Sequence, residues 1–424
     1  MAKRLGILVG GGPAPGLNGV IAAVTIEARR SGLDVIGFMD GFRWLVEADE
    51  QALRNHCRKL HIRDVSRIHF DGGSILRTSR TNPIKIENGI ANTLHWLKTL
   101  NIDYMVTVGG DDTAYCANEI ASGCGDIKFA HVPKTIDNDL PLPDNVSTFG
   151  FQTARHLGAV LVKNLMEDSR ITRRWYIVVT MGRHTGHLAL GIAKSAGATL
   201  AIIPEAFGMQ GTISLNEVCD LLETSIIKRR AMDRAYGVLV IAEGIAERLD
   251  PEVLRQLPGV TVEYDPFGHL QLAEIELGKV IKHEIGKRFG KRGEKMQLVE
   301  TNIGYVLRCA DPIPIDQEYT RDLGYNAVRY LLSRNPEHSS NALIVVDNGR
   351  LKPLPFHGMI DRKSGKPVVR FVDVNSETYR VACSYMVRLE KRDLEDKPML
   401  EKMAAIGQMK PRQFIERYQY LIRP

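Results

Sequence analysis

Two aspartates stand side by side in the run Gly109-Gly110-Asp111-Asp112-Thr113, directly after an apolar stretch, Ile102 to Val108, that reads as a strand. A second apolar stretch leads into Pro133-Lys134-Thr135-Ile136-Asp137-Asn138-Asp139. Carboxylates at the ends of successive strands can hold magnesium and accept a proton, and a lysine among them can hold phosphate oxygens. Together these types suit phosphoryl transfer, which rests mainly on positioning and electrostatics.

Each motif has a functional and a plainer reading. One carboxylate of Asp111-Asp112 can ligate magnesium, and the adjacent pair repels any phosphate near Asp112; the plainer reading makes Asp112 a helix N-cap. Asp137 and Asp139 lie two apart, so an extended segment puts them on one face, one as base and the other toward the metal; the alternative is a polar loop. Lys134 is a point charge able to neutralise a departing phosphate. The loop Gly10-Gly11-Gly12-Pro13-Ala14-Pro15-Gly16-Leu17-Asn18 sits between a strand and a helix, where backbone amides can approach an anion. It is neither a Walker loop, lacking Lys-Ser/Thr, nor a dinucleotide fingerprint, since Pro15 breaks that spacing; the plainer reading is a tight turn. In Met181-Gly182-Arg183-His184-Thr185-Gly186-His187, Arg183 can stabilise a transferring phosphoryl group and Gly182 lets backbone approach a substrate. His184 and His187 lack a companion carboxylate, so roles other than metal binding are expected. Arg80, Arg173, Arg174, Glu243 and Arg308 fit the same surface, though singly each is more often an ordinary surface residue.

The elements that must carry these groups alternate. Strands are expected at Leu5–Val9, Asp34–Phe38, Ile102–Val108 and Ile127–Val132, with helices at about Leu17–Arg30, Glu87–Leu100 and from Thr113. The pattern restarts with a helix at Phe151–Glu167, strands at Trp175–Met181, Thr199–Ile203 and Gly237–Ala242, and helices at His187–Ala196 and Leu215–Arg229. Such alternation predicts an α/β protein of two Rossmann-like three-layer domains with mostly parallel sheets, the active site in the cleft between them. Ligands of open parallel sheets sit beyond the carboxyl ends of the strands, where the main motifs fall. The boundaries expected are 1–148 plus about 309–376 for the first domain, since Leu343–Val346 reads as a strand returning to it, 149–308 for the second, and a helical tail at 377–424.

The bulk numbers agree with an enzyme of small anions. The chain has 424 residues, 44% hydrophobic, with a formal charge of +6. No dense basic run interleaves with aromatics, so nucleic acid is not an expected partner; Lys282 to Lys295, the most basic stretch, reads as a solvated helix end plus loop, with phosphate binding as the alternative. The six cysteines, at 57, 116, 124, 219, 309 and 383, form no CxxC pair, which argues against zinc or redox chemistry. With no apolar run near the roughly 18 residues that span a membrane, and a first apolar run too short for a signal peptide, a cytoplasmic protein is expected.

These motifs, in order, resemble the phosphofructokinases over roughly residues 4 to 330: Gly-Gly-x-Ala-Pro-Gly-x-Asn, Gly-Gly-Asp-Asp, Pro-Lys-Thr-Ile-Asp-Asn-Asp, Met-Gly-Arg, Ala-Glu-Gly and Gly-Tyr-x-x-Arg. The resemblance implies phosphorylation of the 1-hydroxyl of fructose 6-phosphate. It implies Asp137 as the base, Asp111 and Asp139 on the magnesium, and Gly11, Gly12 and Arg80 at the donor. Arg183 would steady the transferring group, and Thr135, Met181, Gly182, Glu243, Tyr305 and Arg308 would contact the sugar phosphate. Arg174 matches an arginine that reaches a neighbouring subunit's 6-phosphate, which implies a homodimer or homotetramer.

Within the family, glycine at the positions of Asp112 and Lys134 goes with ATP, and aspartate with lysine goes with pyrophosphate. The implied reaction is therefore reversible transfer from pyrophosphate, with Asp112 and Lys134 setting the donor. Two departures stand out. The segment Cys309-Ala310-Asp311-Pro312 replaces the family's glycine-rich ending, and Val299 falls near where bacterial ATP enzymes carry a further cross-subunit arginine. The helix after the glycine loop also lacks effector-binding arginines, so nucleotide regulation is not expected. An ATP-dependent enzyme and a non-catalytic sugar-phosphate sensor are the alternatives; a dinucleotide oxidoreductase fails for want of GxGxxG.

Overall fold

A computed structural model describes residues 2–209, 211–255, 275–338, 340–359 and 368–422. Parts of the segments expected at 149–308, 309–376 and 377–424 thus lie outside the described residues. The chain divides into two compact units, one of Met1–Ala154 with Val306–Arg370 and one of Arg155–Tyr305 with Phe371–Pro424.

In chain order the main strands are β1 (Arg4–Val9), β2 (Asp34–Phe38), β3 (Cys57–Leu60), β4 (Tyr104–Gly109), β5 (Lys128–Thr135), β6 (Phe149–Gly150), β7 (Trp175–Thr180), β8 (Leu200–Ile202), β9 (Gly237–Ala242), β10 (Leu298–Asn302) and β11 (Ala342–Leu343). In the first unit the sheet runs β11-β5-β4-β1-β2-β3, with the two-residue strand Leu354–Pro355 beyond β11 and β6 beside β5. Pairing is parallel from β11 to β2, and antiparallel at the two edges, β2–β3 and β11–Leu354. Alternation along β1 explains its central place: Leu5, Ile7 and Val9 enter one core and Leu8 the other, on opposite faces of the sheet.

The helix Leu17–Arg30 buries nearly its whole first half and packs along the helix Pro314–Leu332. Small residues let the two backbones meet. A Cβ on Gly19 would lie 2.3 Å from the Thr320 hydroxyl oxygen, and one on Gly324 would lie 2.6 Å from the Ala23 Cβ. The second helix has a weak apolar stripe and was not expected from the sequence. It supplies Asp316, whose carboxylate accepts hydrogen bonds from the Gly150 and Thr153 amides at 3.0 and 2.8 Å and from the Thr153 hydroxyl at 2.6 Å. That bond set, with β6 pairing onto Lys134 and Thr135, keeps the chain in the first unit through Ala154 rather than releasing it near residue 148.

The second unit is a parallel sheet in the order β10-β7-β9-β8. Its edge strand β10 was missed because Leu298-Val-Glu-Thr-Asn is short and half-exposed, with little alternation to read. The residues expected to form a separate tail join this unit. Leu389, Leu400, Met403, Phe414, Tyr418 and Leu421 share one core with Val218, Leu222, Ile226 and Trp175. Four of these six lie on the short helices Lys397–Ile406 and Pro411–Tyr418, each too small to bury an apolar face alone; the first packs on the helix Leu215–Ala231 and the second packs on the first.

The basic stretch near residue 290 is solvated at Lys287, Lys291 and Lys295, as expected, but two of its arginines turn inward. Arg288 bonds Asp220 and, at 2.8 Å, Glu223, while Arg292 bonds the other Glu223 oxygen. Arg417 from the tail approaches Glu223 at 3.4 Å, and the Tyr420 hydroxyl donates to Asp220 at 2.6 Å. The Glu223 side chain is fully buried, so removing it strands several guanidinium groups in a poorly hydrated place. Glu223→Ala is expected to cost about 3–5 kcal/mol in denaturant unfolding. Arg412→Ala, which breaks the exposed pair with Glu416, should leave the midpoint unchanged.

Candidate active site

The first unit gathers its motif residues at the carboxyl ends of β1, β4 and β5. The glycine loop follows β1 and is stitched to the segment before Arg80: the Gly11 amide donates to the Ser79 carbonyl at 2.8 Å, and the Thr78 hydroxyl donates to the Gly11 carbonyl at 2.7 Å. Arg80 itself is exposed. Gly11 has φ 80°, a left-handed conformation that favours glycine. Its amide already has a partner, so Gly11 offers close approach rather than a free donor. A Cβ at Gly10 or Gly109 would fall 2.5 or 2.4 Å from the Thr113 hydroxyl oxygen, so Thr113 wedges the two strand ends together.

Asp111 and Asp112 open the helix Asp111–Ser122, whose N-cap is Gly110. Asp112 is therefore not the N-cap; it lies in the first turn, exposed, where the helix dipole favours a carboxylate. The turn before it is fixed from below by His131, which is wholly buried. A carbonyl can only accept, so His131 Nε2–H donates to the Gly109 carbonyl at 3.0 Å and Nδ1 accepts from the Thr107 hydroxyl at 2.8 Å. Burial drives the imidazole down to about 3, so it stays neutral at ordinary pH.

Lys134, at the end of β5, is only 5% exposed. Its ammonium donates to the Gly12 carbonyl, and a Cβ on Gly11 would lie 3.4 Å from Nζ. Burial lowers it to about 8, with the Arg308 charge pushing the same way, while Asp111, Asp137 and Asp139 oppose the shift. The group is thus mainly charged at pH 7 and loses its proton as pH rises through about 8. Arg308 packs over Gly12, its guanidinium carbon 3.5 Å from where a Gly12 Cβ would stand. The resemblance made Arg308 a sugar-phosphate contact and Gly12 a donor contact; in the structure the two are neighbours.

Asp137 and Asp139 do not share the face of an extended segment. β5 ends at Thr135, and Asn138 between them has φ 58°. The carboxylates hang instead on a turn built by side-chain bonds. The Asp137 amide donates to the Thr135 hydroxyl at 3.0 Å, the Thr148 hydroxyl to the Thr135 carbonyl at 2.7 Å, and the Thr148 amide to Asn138 Oδ1 at 3.1 Å. Sequence reasoning missed Thr113, His131, Thr148 and, far along the chain, Arg370, which also bonds this turn. Apart from Thr113, which ends the first motif, none carries a motif signal; only the fold brings them there.

In the second unit Met181, Gly182 and Arg183 follow β7, Glu243 follows β9 and Tyr305 follows β10, so neighbouring strands present them at one edge. The Glu243 amide donates to the Thr180 carbonyl at 2.9 Å and the Gly244 amide to the Gly182 carbonyl at 3.1 Å. Gly182 has φ 130°, and a Cβ there would meet the Thr185 carbonyl oxygen at 2.4 Å. Arg183 lies 3.9 Å and His184 3.4 Å from the Glu247 carboxylate. The loop's far end is held by buried Glu205, whose carboxylate accepts from the Gly186 amide at 2.9 Å and the Val372 amide at 3.0 Å. Tyr305 is 59% exposed.

Arg174 stands apart. It precedes β7, so the strand's six residues, about 20 Å of chain, separate it from Met181. Among the described residues no group of three or more His, Cys, Asp and Glu could hold a metal, and no helix is long and apolar enough to cross a membrane.

The comparisons with known proteins converge. A pyrophosphate–fructose 6-phosphate 1-phosphotransferase of Thermotoga maritima is 56% identical over 419 residues, 99% of this chain and 98% of its own. One of Naegleria fowleri, with the same name, is 45% identical over 99% of this chain and 96% of its own. A crystal structure of a pyrophosphate-dependent phosphofructokinase from Nitrosospira multiformis covers 92% of this chain and 93% of its own with a TM-score of 0.66, and at 16% identity it speaks for the fold alone. The phosphofructokinase family model matches residues 4–331. With the strand-end motifs in family order on an α/β fold, and relatives this similar along nearly the whole length, the chain belongs to the phosphofructokinase family.

Proposed function

We propose that the protein transfers a phosphoryl group reversibly between pyrophosphate and the 1-hydroxyl of fructose 6-phosphate. The observation that carries the donor assignment is the buried Lys134 ammonium against the Gly11-Gly12 backbone, with Asp112 in the neighbouring helix turn. A fixed charge at that depth suits a compact, highly anionic donor, and a carboxylate in that helix turn disfavours the further phosphate of a nucleotide. The names of the 56% and 45% identical relatives support the same reading.

In this reading Lys134, Arg308, Arg80 and the glycine loop hold the donor, and Asp137 takes the proton of the attacking hydroxyl. Arg183 meets the charge that spreads over the transferring oxygens. Thr135, Met181, Gly182, Glu243 and Tyr305 orient the sugar phosphate. Asp111 and Asp139 both act on the Lys134 charge, which puts them within electrostatic reach of one point and fits a divalent ion shared between a few carboxylates and substrate phosphates. Magnesium there would neutralise donor oxygens. Arg174, at the opposite end of its strand, would serve a second copy of the chain, which makes the enzyme a homo-oligomer of cytoplasmic type, dimer or tetramer. The bond broken and the bond made are both phosphate linkages, so the reaction runs both ways.

A coupled assay in both directions with pyrophosphate, with ATP and with no donor tests this reading. Turnover with pyrophosphate alone is expected; equal or better turnover with ATP overturns the donor, and sugar-phosphate binding without turnover makes the protein a sensor. Asp137→Asn should lower kcat about 10²–10⁴-fold while the variant still binds fructose 6-phosphate in calorimetry. The double variant Asp112→Gly with Lys134→Gly should lose most pyrophosphate activity and gain some use of ATP, read as the ratio of kcat/KM for the two donors.

A further inference from the structure

The turn that carries Asp137 and Asp139 is an unusual piece of backbone to entrust with proton transfer. It lies outside any regular element, with Asn138 left-handed, and its carbonyls point into a loop with no strand to receive them. Buried carbonyls of this kind need donors. One side chain supplies most of them. Arg370 Nε and Nη2 donate to the Asn138 carbonyl at 3.2 and 3.1 Å, and Nη2 also reaches Asn138 Oδ1. Nη1 donates to the Val146 carbonyl at 2.8 Å and the Pro143 carbonyl at 3.3 Å, with the Leu142 carbonyl at 3.5 Å. The Arg370 amide donates to the Asp139 carbonyl at 2.8 Å. A planar guanidinium offers five donors in fixed directions, so this set reads both ends of the loop from Asn138 to Val146 at once.

We infer that Arg370 is a positioning residue for the phosphoryl transfer, fixing the direction of the Asp137 and Asp139 carboxylates through the left-handed Asn138 turn. This rests on the proposed role of Asp137 as base. The residue comes from beyond the stretch 4–331 that the family model matches, so a late segment of the chain governs the geometry of a motif laid down more than 200 residues earlier. Burial works against the guanidinium charge, and Asp139 and Asp144 sustain it. The clamp is therefore linked to Asp139 electrostatically as well as through its backbone carbonyl.

A misplacement of about 1 Å at a reacting group can cost about 10²-fold in rate. Arg370→Met is expected to lower kcat about 10²-fold, with KM for pyrophosphate and for fructose 6-phosphate within about threefold of wild type. The same substitution made on Asp137→Asn should lower kcat by less than about tenfold, because the base is gone and only Asp139 is left to aim. A merely structural role predicts the same loss in both backgrounds, or a lower melting temperature with kcat intact, and either result overturns the inference. If Asp137→Asn alone keeps wild-type kcat, it is the base assignment that has failed, and the inference fails with it. Should Arg370→Met not fold, Arg370→Lys carries the test: one ammonium cannot satisfy the Asn138 and Val146 carbonyls together, so kcat should fall at least about tenfold with KM held. Unchanged kcat in Arg370→Lys contradicts the clamp.

Discussion

A lysine ammonium taken out of water is the constraint around which the first unit is organised. Lys134 is almost wholly buried, and its charge persists at neutral pH because three aspartates offset what burial and Arg308 take away. A charge so placed must be hydrogen-bonded, and the Gly12 carbonyl meets that need. The glycine loop is thereby pinned from below by Lys134 and from the side by Ser79 and Thr78. Gly11 matters there for its left-handed backbone, since a Cβ at Gly11 or Gly12 would stand only in ordinary contact with Lys134 or Arg308.

Much of this was legible in the sequence. The helices at Leu17–Arg30 and His187–Ala196 and the strands at Asp34–Phe38 and Gly237–Ala242 have the bounds expected, because apolar periodicity and glycine punctuation mark them cleanly. The elements that escaped notice are those whose stability comes from partners. β10 is a short edge strand, and the helix Pro314–Leu332 owes its place to small residues on the helix it lies against. The late strand Leu343–Val346 was expected to rejoin the first unit; β11 does so over Ala342–Leu343, parallel to β5.

Within the site, residue types at strand ends were readable, and their supports were not. Asp111, Asp112, Lys134, Asp137 and Arg183 announce themselves by chemistry and spacing. Nothing in the sequence around His131 or Arg370 marks either as a neighbour of a carboxylate loop, because the relation is made by sheet register and by a return of the chain. The assumption that Asp137 and Asp139 share an extended face failed for a related reason. A left-handed asparagine is invisible to periodicity, and here it is held by Thr148 and by a guanidinium from far along the chain. In the tail likewise, Arg417 and the Tyr420 hydroxyl turn to buried Glu223 and Asp220.

The central claim is that the Lys134 charge holds the donor. Calorimetric titration of pyrophosphate into the wild type and Lys134→Met tests it directly, with fructose 6-phosphate titrated into both as the internal comparison. Loss of a charge-assisted contact should weaken pyrophosphate binding at least about tenfold while sugar-phosphate affinity stays the same. Equal pyrophosphate affinity in a folded Lys134→Met protein would contradict the account.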